Sequence, residues 1–256
     1  MPDPRSPRLA VLIDADNASP KIADGLFEEI ATIGEASVRR IYGDFSNDRA
    51  KGWAAILPKH AIMPHQQFAN TTGKNASDIA LVIDAMDLLH SGRFDGVCLV
   101  SSDSDFTRLA ARIREQGLDV YGFGEQKTPE SFRQACRRFI NTENLLIDEV
   151  GGRAPDAARE TMQRQPSAAT PIIRKAIAQL DSENGWVPLA AVGHQLGVLA
   201  PDFDPRSYGC RKLSDLVKQT GAFEVETPND GRMRIRGKSA SSKSSKAAQR
   251  KPGKAT

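Results

Sequence analysis

Two acidic turns, each directly after a short apolar run, are the part of the sequence that could do chemistry. Asp14 follows the aliphatic run at residues 9–13, and Asp103 and Asp105 follow a second run at residues 97–100. Buried strands of an open α/β sheet deliver their last residues to the carboxyl edge, where such folds bind ligands. Carboxylates held close together repel each other unless a positive partner joins them. Because Mg²⁺ and Mn²⁺ prefer oxygen ligands, a divalent cation is the partner that this pattern predicts.

A further acid, Asp78, lies in the first turn of a predicted helix. The first and fourth strands of a doubly wound sheet are commonly neighbours, which would bring Asp14 close to Asp103. With one or two Mg²⁺ or Mn²⁺ ions, such a cluster becomes a site for phosphodiester hydrolysis, because the metal lowers the pKa of bound water and stabilises the leaving oxygen. The simpler alternative is that Asp or Ser in each turn only caps the helix that follows.

Strand and helix patterns alternate along residues 8–148, which predicts an α/β domain with a three-layer parallel sheet. The predicted strands are residues 9–13, 36–42, 62–63, 97–100, 118–124 and 145–147. Between them, apolar residues at helical spacing predict buried helix faces. These faces contain Ile22, Leu26 and Ile30; Trp53, Ile56 and Leu57; Ile79, Val82, Ile83 and Met86, with Leu89 beyond them; and Leu109, Ala110 and Ile113. A last helix is expected from Thr128 to Phe139, with a Thr cap and an early proline.

The composition changes after this domain. Residues 149–168 are rich in Gly, Ala, Pro, Arg and Gln, which predicts a linker. Residues 169–237 contain three helical patterns followed by two short strand patterns joined by Pro228-Asn-Asp-Gly231, a plausible hairpin turn. Helices followed by a β-hairpin predict a small α+β domain like a winged helix-turn-helix, a frequent nucleic-acid-binding module.

The charge of the chain is unevenly distributed. The formal net charge is +3, from 35 basic and 32 acidic residues, but residues 238–256 carry six basic residues and no acid. The remainder therefore has 29 basic residues against 32 acidic ones. This basic tail, rich in Ser, Ala and Lys, cannot form a core and is expected to be disordered. It could attract nucleic acid without reading sequence, or it could simply be a solubilising terminus.

Membrane and secreted classes fit the sequence poorly. No apolar run approaches the length of a membrane span, and the first eight residues lack the apolar core of a signal peptide. We therefore expect a cytoplasmic protein with no membrane partner. The cysteines Cys98, Cys136 and Cys210 form no CxxC pair, which argues against a disulfide framework and against a zinc knuckle.

Three motifs in order resemble the NYN domain, a family of the PIN-like nucleases. They are IDADN at residues 13–17, GKNASD at 73–78 leading into IDAMD at 83–87, and SSDSDF at 101–106. The resemblance spans roughly residues 8–147 and implies a metal-dependent ribonuclease. By position it implies that the catalytic, metal-binding acids are Asp14, Asp78, Asp103 and Asp105. It also implies that Asn17 holds the first turn or touches substrate, that Lys74 and Asn75 contact phosphate, and that Asp16 caps the next helix or ligates the metal, with capping favoured.

The second domain resembles the OST-HTH/LOTUS domain. The segments that carry this resemblance are ENGWVPL at residues 183–189, DFDPRSYG at 202–209 and KLSDL at 212–216. The family is implicated in RNA binding, and a LOTUS domain can also bind a protein partner. The residues expected to contact RNA are Arg206, Tyr208, Arg211 and Lys212. The alternative is that Tyr208 packs on the core and the basic side chains are solvated.

Three functions follow from these patterns. The first is a Mg²⁺- or Mn²⁺-dependent endoribonuclease that acts on RNA and carries a separate RNA-binding module. The second is an RNA-binding or regulatory adaptor whose acidic pocket is too weak for catalysis. The third is an aspartyl-phosphate phosphatase that uses Asp14 as nucleophile. This last function is disfavoured because no Ser or Thr directly follows Asp16 and no lysine lies near Asp103. PIN-like domains pair in several proteins, so a homodimer is open.

Overall fold

The computed structural model describes residues 6–46, 52–67, 75–149, 164–182, 184–228 and 231–238. Its first domain is built on a six-stranded parallel sheet with strand order β3-β2-β1-β4-β5-β6. The strands are β1 (Arg8–Asp14), β2 (Glu35–Gly43), β3 (Met63–Gln66), β4 (Gly96–Val100), β5 (Asp119–Gly124) and β6 (Arg138–Asn141). The predicted parallel sheet is confirmed.

The central strands β1 and β4 are direct neighbours, paired in parallel from Leu9 opposite Gly96 to Ile13 opposite Val100. All five residues of β4 are buried, as expected of a strand covered on both faces. Because the two strands end in register, the turns that follow them begin side by side at the carboxyl edge of the sheet.

Helices cover both faces of the sheet and produce three layers. In the described part of the first domain, the helices of six or more residues are α1 (Ala23–Ile33), α2 (Ala76–His90), α3 (Thr107–Glu115), α4 (Glu130–Ala135) and α5 (Thr142–Glu149). Helices α2, α3 and α4 enclose one core with the sheet, whereas α1 and α5 enclose the other. Short 3₁₀ turns at Pro20–Ile22 and Ser104–Phe106 precede α1 and α3.

The second domain is a small α+β unit. It contains α6 (Thr170–Ala178), α7 (Leu189–Leu199) and α8 (Leu213–Thr220), and the strands β7 (Val187–Pro188), β8 (Phe223–Glu226) and β9 (Arg234–Gly237). The strands form an antiparallel sheet in the order β7-β9-β8. None of the helices in the described part of the chain combines the length and apolar character that a membrane span requires.

The end of the first domain differs from the sequence prediction. Residues 145–147 were expected to form a strand, but they lie in α5, and the last strand is β6. The helix expected to reach Phe139 ends at Ala135. Helix α5 packs closely on α1: a Cβ at Gly25 would lie 2.7 Å from the carbonyl oxygen of Leu145. A short apolar run fits a buried strand and a buried helix equally well, so this packing decides between them.

The predicted face of α2 is also wrong in part. Ile79 and Ile83 are 61% and 56% exposed. The buried positions are Leu81, Ala85, Leu88 and Leu89. The helix is apolar around most of its circumference, so its periodicity does not single out one face. Asp84 connects the helix to β2, since its carboxylate accepts hydrogen bonds of 2.7 Å from the Tyr42 hydroxyl and from the Arg40 guanidinium.

The two domains contact each other through residues 201–207 of the second domain. Arg206 pairs with Glu29 of α1 at 2.9 Å, and both side chains are largely buried. Asp202 forms a second ion pair with Arg133. Ser207 Oγ accepts hydrogen bonds from the side-chain amides of Asn141 and Asn144, at 3.2 and 3.0 Å. The segment is therefore fixed against the first domain by charged and neutral hydrogen bonds.

Candidate catalytic site at the sheet edge

Asp14 occupies the last position of β1 and is 1% exposed. Its Oδ1 accepts the backbone N–H groups of Asp16 and Asn17, at 3.0 and 3.3 Å. Its Oδ2 accepts the Asn17 side-chain amide and the Ser101 hydroxyl, both at 2.8 Å. Burial raises the pKa of Asp14, and the hydrogen bonds from Asn17 and Ser101 oppose that rise. The carboxylate is thus held in one orientation, and Asn17 holds the first turn.

The second acidic turn is linked to the first through Ser101. Ser101 Oγ accepts the backbone N–H of Asp103 at 3.1 Å while it donates to Asp14. Asp103 in turn caps the 3₁₀ turn that precedes α3, because its Oδ1 accepts the backbone N–H of Asp105 at 2.9 Å. The capping alternative raised by the sequence is therefore observed at Asp103. Sequence reasoning missed the part played by Ser101, whose only signal was a serine directly after the strand.

The sequence favoured Asp16 as the cap of the next helix, but this prediction is wrong. The cap at Pro20–Ile22 is Ser19, whose hydroxyl accepts the backbone N–H of Lys21 at 3.4 Å. Asp16 instead accepts a hydrogen bond of 3.2 Å from the Ser77 hydroxyl at the start of α2. This contact joins the α2 N-terminus to the turn after β1.

Asp78, in the first turn of α2, completes the acidic edge. Burial, together with the negative charges of four nearby carboxylates, raises the pKa of Asp78 to about 6. These carboxylates belong to Asp14, Asp103, Asp16 and Asp105. The structure therefore brings Asp14, Asp78, Asp103 and Asp105 within electrostatic range of one another, from three separate elements of the chain.

The donor set suits a hard divalent cation, because carboxylate oxygens are the ligands that Mg²⁺ and Mn²⁺ prefer. A cation there would offset the repulsion that raises the pKa of Asp78. Among the residues that the structure describes, however, no group of three or more His, Cys, Asp or Glu side chains is arranged to hold a metal ion. Asp14 and Asp103 are instead engaged by hydrogen bonds from the protein.

Two further residues, Lys74 and Asn75, were expected to contact phosphate. Asn75 is exposed and lies at the N-cap position of α2, where its side chain makes no capping hydrogen bond. Lys74 lies outside the described residues.

The four RNA-contact candidates in the second domain divide into two pairs. Tyr208 is 7% exposed, and its ring packs against Phe203 with centroids 5.8 Å apart. Arg206 lies between Asp204 and Glu29. In this arrangement neither side chain presents a free surface, whereas Arg211 and Lys212 are exposed.

Comparison with known proteins identifies both domains. A family model of the NYN domain matches residues 8–146, and one of the OST-HTH/LOTUS domain matches residues 164–235. The chain matches no curated protein. Among solved structures, a protein of unknown function from Vibrio parahaemolyticus is 22% identical, with a TM-score of 0.45 over 54% of this chain and 94% of its own. An uncharacterized protein from Nitrosomonas europaea is 35% identical, with a TM-score of 0.27 over 34% of this chain and 83% of its own.

The NYN match covers more than half of the chain, and it ends before the OST-HTH/LOTUS match begins. The six-stranded parallel sheet and the acids along its carboxyl edge lie within the first match. The chain therefore belongs to the NYN domain family of the PIN-like nuclease superfamily and carries an OST-HTH/LOTUS domain after its NYN domain.

Proposed function

We propose that this protein is an endoribonuclease that hydrolyses RNA phosphodiester bonds with the help of Mg²⁺ or Mn²⁺. The observation that carries the proposal is the convergence of acids from three separate elements, β1, α2 and the turn after β4, at one edge of the sheet. Burial, and after it the negative charges of the neighbouring carboxylates, raise the pKa of Asp78 there. Such repulsion destabilises the fold unless a positive charge offsets it. Membership of the NYN family, in a superfamily of nucleases that generally depend on divalent metals, supports the same conclusion.

In this proposal the metal ligands are Asp14, Asp78, Asp103 and Asp105. Asn17 and Ser101 orient Asp14 through hydrogen bonds of 2.8 Å. Asp78 must lose its proton to act as a ligand, so protons and the cation compete for this carboxylate. When bound, the cation supplies Lewis acidity that polarises the scissile phosphate and steadies the leaving oxygen.

We further propose that the OST-HTH/LOTUS domain binds the RNA and presents it to the nuclease domain. The exposed Arg211 and Lys212 are candidates for phosphate contact, because basic side chains dominate sequence-independent affinity for nucleic acid. The proposed nuclease domain spans residues 8–148, the linker 149–168 and the RNA-binding domain 169–237. The basic tail at 238–256 lies outside the described residues, apart from Lys238.

Cleavage of labelled single-stranded and structured RNAs tests the proposal. The pure protein is assayed with Mn²⁺, with Mg²⁺ and with EDTA, beside the variant Asp103→Asn. Asn caps helices about as well as Asp, so this variant removes the charge and keeps the cap. Asp181→Asn, an exposed acid of the second domain, is the matched control. We expect metal-dependent cleavage that only Asp103→Asn abolishes; cleavage that survives this substitution contradicts the assignment of the site.

One observation favours a second candidate function. Within the described residues the acids are not arranged to hold a metal ion, and Asp14 is already engaged on both oxygens. This favours a catalytically weak RNA-binding or regulatory adaptor. RNA retained by the protein, with no cleavage in Mn²⁺ or Mg²⁺, would support the adaptor over the enzyme.

A further inference from the structure

A cavity of about 230 Å³ lies at the carboxyl edge of the sheet, beside the acidic site. It is enclosed by the ends of β4 and β5, the turn after β1 and the first turns of α5. Two of its lining residues, Asn17 and Ser101, also donate hydrogen bonds to Asp14. The cavity and the acidic edge therefore share a wall, so a group in the cavity lies next to the proposed cleavage site.

The lining of this cavity combines apolar side chains with two carboxylates and several uncharged polar groups. The apolar side chains belong to Ile22, Val100, Phe123 and Leu146. The two carboxylates belong to Glu125 and Glu143, and the described lining residues include no Lys or Arg. Lys127, outside the lining, pairs with Glu125 at 2.7 Å. The carboxylate of Glu143 disfavours a phosphate at this place. A flat apolar group with N–H donors on its edge would be attracted, because carboxylate oxygens only accept hydrogen bonds.

Glu143 is the polar group best placed to read such an edge. Its Oε1 accepts the backbone N–H of Gln126 at 2.9 Å. Its Oε2 is buried and has no hydrogen-bond partner among the described atoms. A buried carboxylate oxygen without a donor is unfavourable, and a ligand that supplies an N–H group would remove that penalty. Glu143 lines the cavity, and a rotation about its soft last torsion would bring Oε2 to a ligand there.

We propose that this cavity is a nucleobase site that selects bases with an exocyclic amino group. Guanine, adenine and cytosine offer an amino group to Glu143, whereas uracil presents only a single ring N–H between two carbonyl groups. The apolar walls would cover the faces of the base. This proposal rests on the proposed function, since it gives the substrate of the same site a base preference. Glu143 is then a specificity-determining residue.

Binding of short RNAs tests the site without relying on catalysis. The Asp103→Asn protein is titrated with fluorescent hexamers of cytidine and of uridine. Uracil cannot donate an amino hydrogen bond to the charged Glu143. We therefore expect the cytidine hexamer to bind about tenfold more tightly than the uridine hexamer. Adding Glu143→Gln keeps an oxygen for the Gln126 N–H and replaces the free acceptor by a donor. We expect this change to bring the two affinities within about twofold of each other.

Glu130→Gln in the same Asp103→Asn protein is the matched control, because Glu130 is an exposed acid that does not line the cavity. It should keep the preference for cytidine. The base site would be overturned if the Asp103→Asn protein bound the cytidine and uridine hexamers equally well. It would also be overturned if the preference for cytidine survived Glu143→Gln. These outcomes are independent of the cleavage assay: a preference lost only in Glu143→Gln supports the base site even when the unaltered protein cuts no RNA.

Discussion

Ser101 Oγ lies 2.8 Å from Asp14 Oδ2, and this buried hydrogen bond joins the ends of the neighbouring strands β1 and β4. The same hydroxyl accepts the backbone N–H of Asp103 at 3.1 Å. One serine therefore holds two proposed metal ligands in a fixed relationship. The arrangement depends on strand order, because only adjacent strands that end in register can place the two residues side by side.

Replacing Ser101 by Ala is expected to destabilise the fold by about 1–3 kcal/mol, because Asp14 is buried and loses a donor to its carboxylate. The pKa of Asp14 should rise further, since the Ser101 hydrogen bond lowers it. The free energy of unfolding in urea measures the loss. Ser104→Ala, at an exposed serine in the same turn, should stay within about 0.5 kcal/mol of the unaltered protein. Equal losses in both variants would count against the Ser101 bridge.

Asp78 is expected to destabilise the metal-free protein at neutral pH. Its pKa is raised from 3.8 to about 6, so the folded state binds more protons than the unfolded state between these values. Stability then falls as the pH rises through this window. In EDTA at pH 7.5, Asp78→Asn should therefore raise the free energy of unfolding by about 1 kcal/mol, after allowance for solvent screening of a partly exposed group. This gain corresponds to an increase of a few degrees in Tm.

At pH 3.5 most of the gain from Asp78→Asn should be lost, because Asp78 is then protonated in the folded state and mostly protonated in the unfolded state. Asp181→Asn, at an exposed acid of the second domain, is the control and should show no such gain at pH 7.5. Added Mn²⁺ should raise the Tm of the unaltered protein more than it raises the Tm of the Asp78→Asn variant. A Tm that Asp78→Asn lowers at pH 7.5 would mean that the acids do not repel one another as the structure indicates.

The sequence was sufficient for the parts of the site that depend on local pattern. An apolar run that stops abruptly at Asp14, and another that stops before Asp103, predicted two strand ends, and the doubly wound topology predicted their adjacency. Contacts between distant parts of the chain were not predictable in this way. The pairing of Ser101 with Asp14 spans 87 positions, and the cavity beside Glu143 exists only because residues 142–149 form a helix on α1.

The two faces of α2 give a direct comparison between the predicted and the observed core. Leu88 is 5% exposed and packs in the core, whereas Ile83 is 56% exposed. Leu88→Ala should therefore cost about 2–5 kcal/mol, and Ile83→Ala should change stability by less than about 0.5 kcal/mol. Urea denaturation of both variants measures the difference. The reverse order would restore the face that periodicity alone predicted.

Arg206 and Glu29 connect the two domains, and their ion pair predicts an energetic coupling. Each single variant, Arg206→Ala or Glu29→Gln, removes one ion pair from a largely buried partner. Glu29 keeps its pair with Arg138, and Arg206 keeps its pair with Asp204. The double variant should lose less stability than the sum of the two, with a coupling of about 0.5–3 kcal/mol in a double-mutant cycle. Purely additive losses would mean that this contact does not hold the domains together.

The same variants separate domain docking from RNA contact. If Arg206 acts only in docking, Arg206→Ala should leave the salt dependence of RNA binding unchanged, as Glu29→Gln should. Lys212→Ala removes an exposed charge and should reduce the slope of log affinity against log salt by about 0.7, the value for one phosphate contact on a single strand. If Arg206→Ala reduced this slope and Glu29→Gln did not, Arg206 would be assigned to the RNA-binding surface. An unchanged slope in Lys212→Ala would remove Lys212 from it.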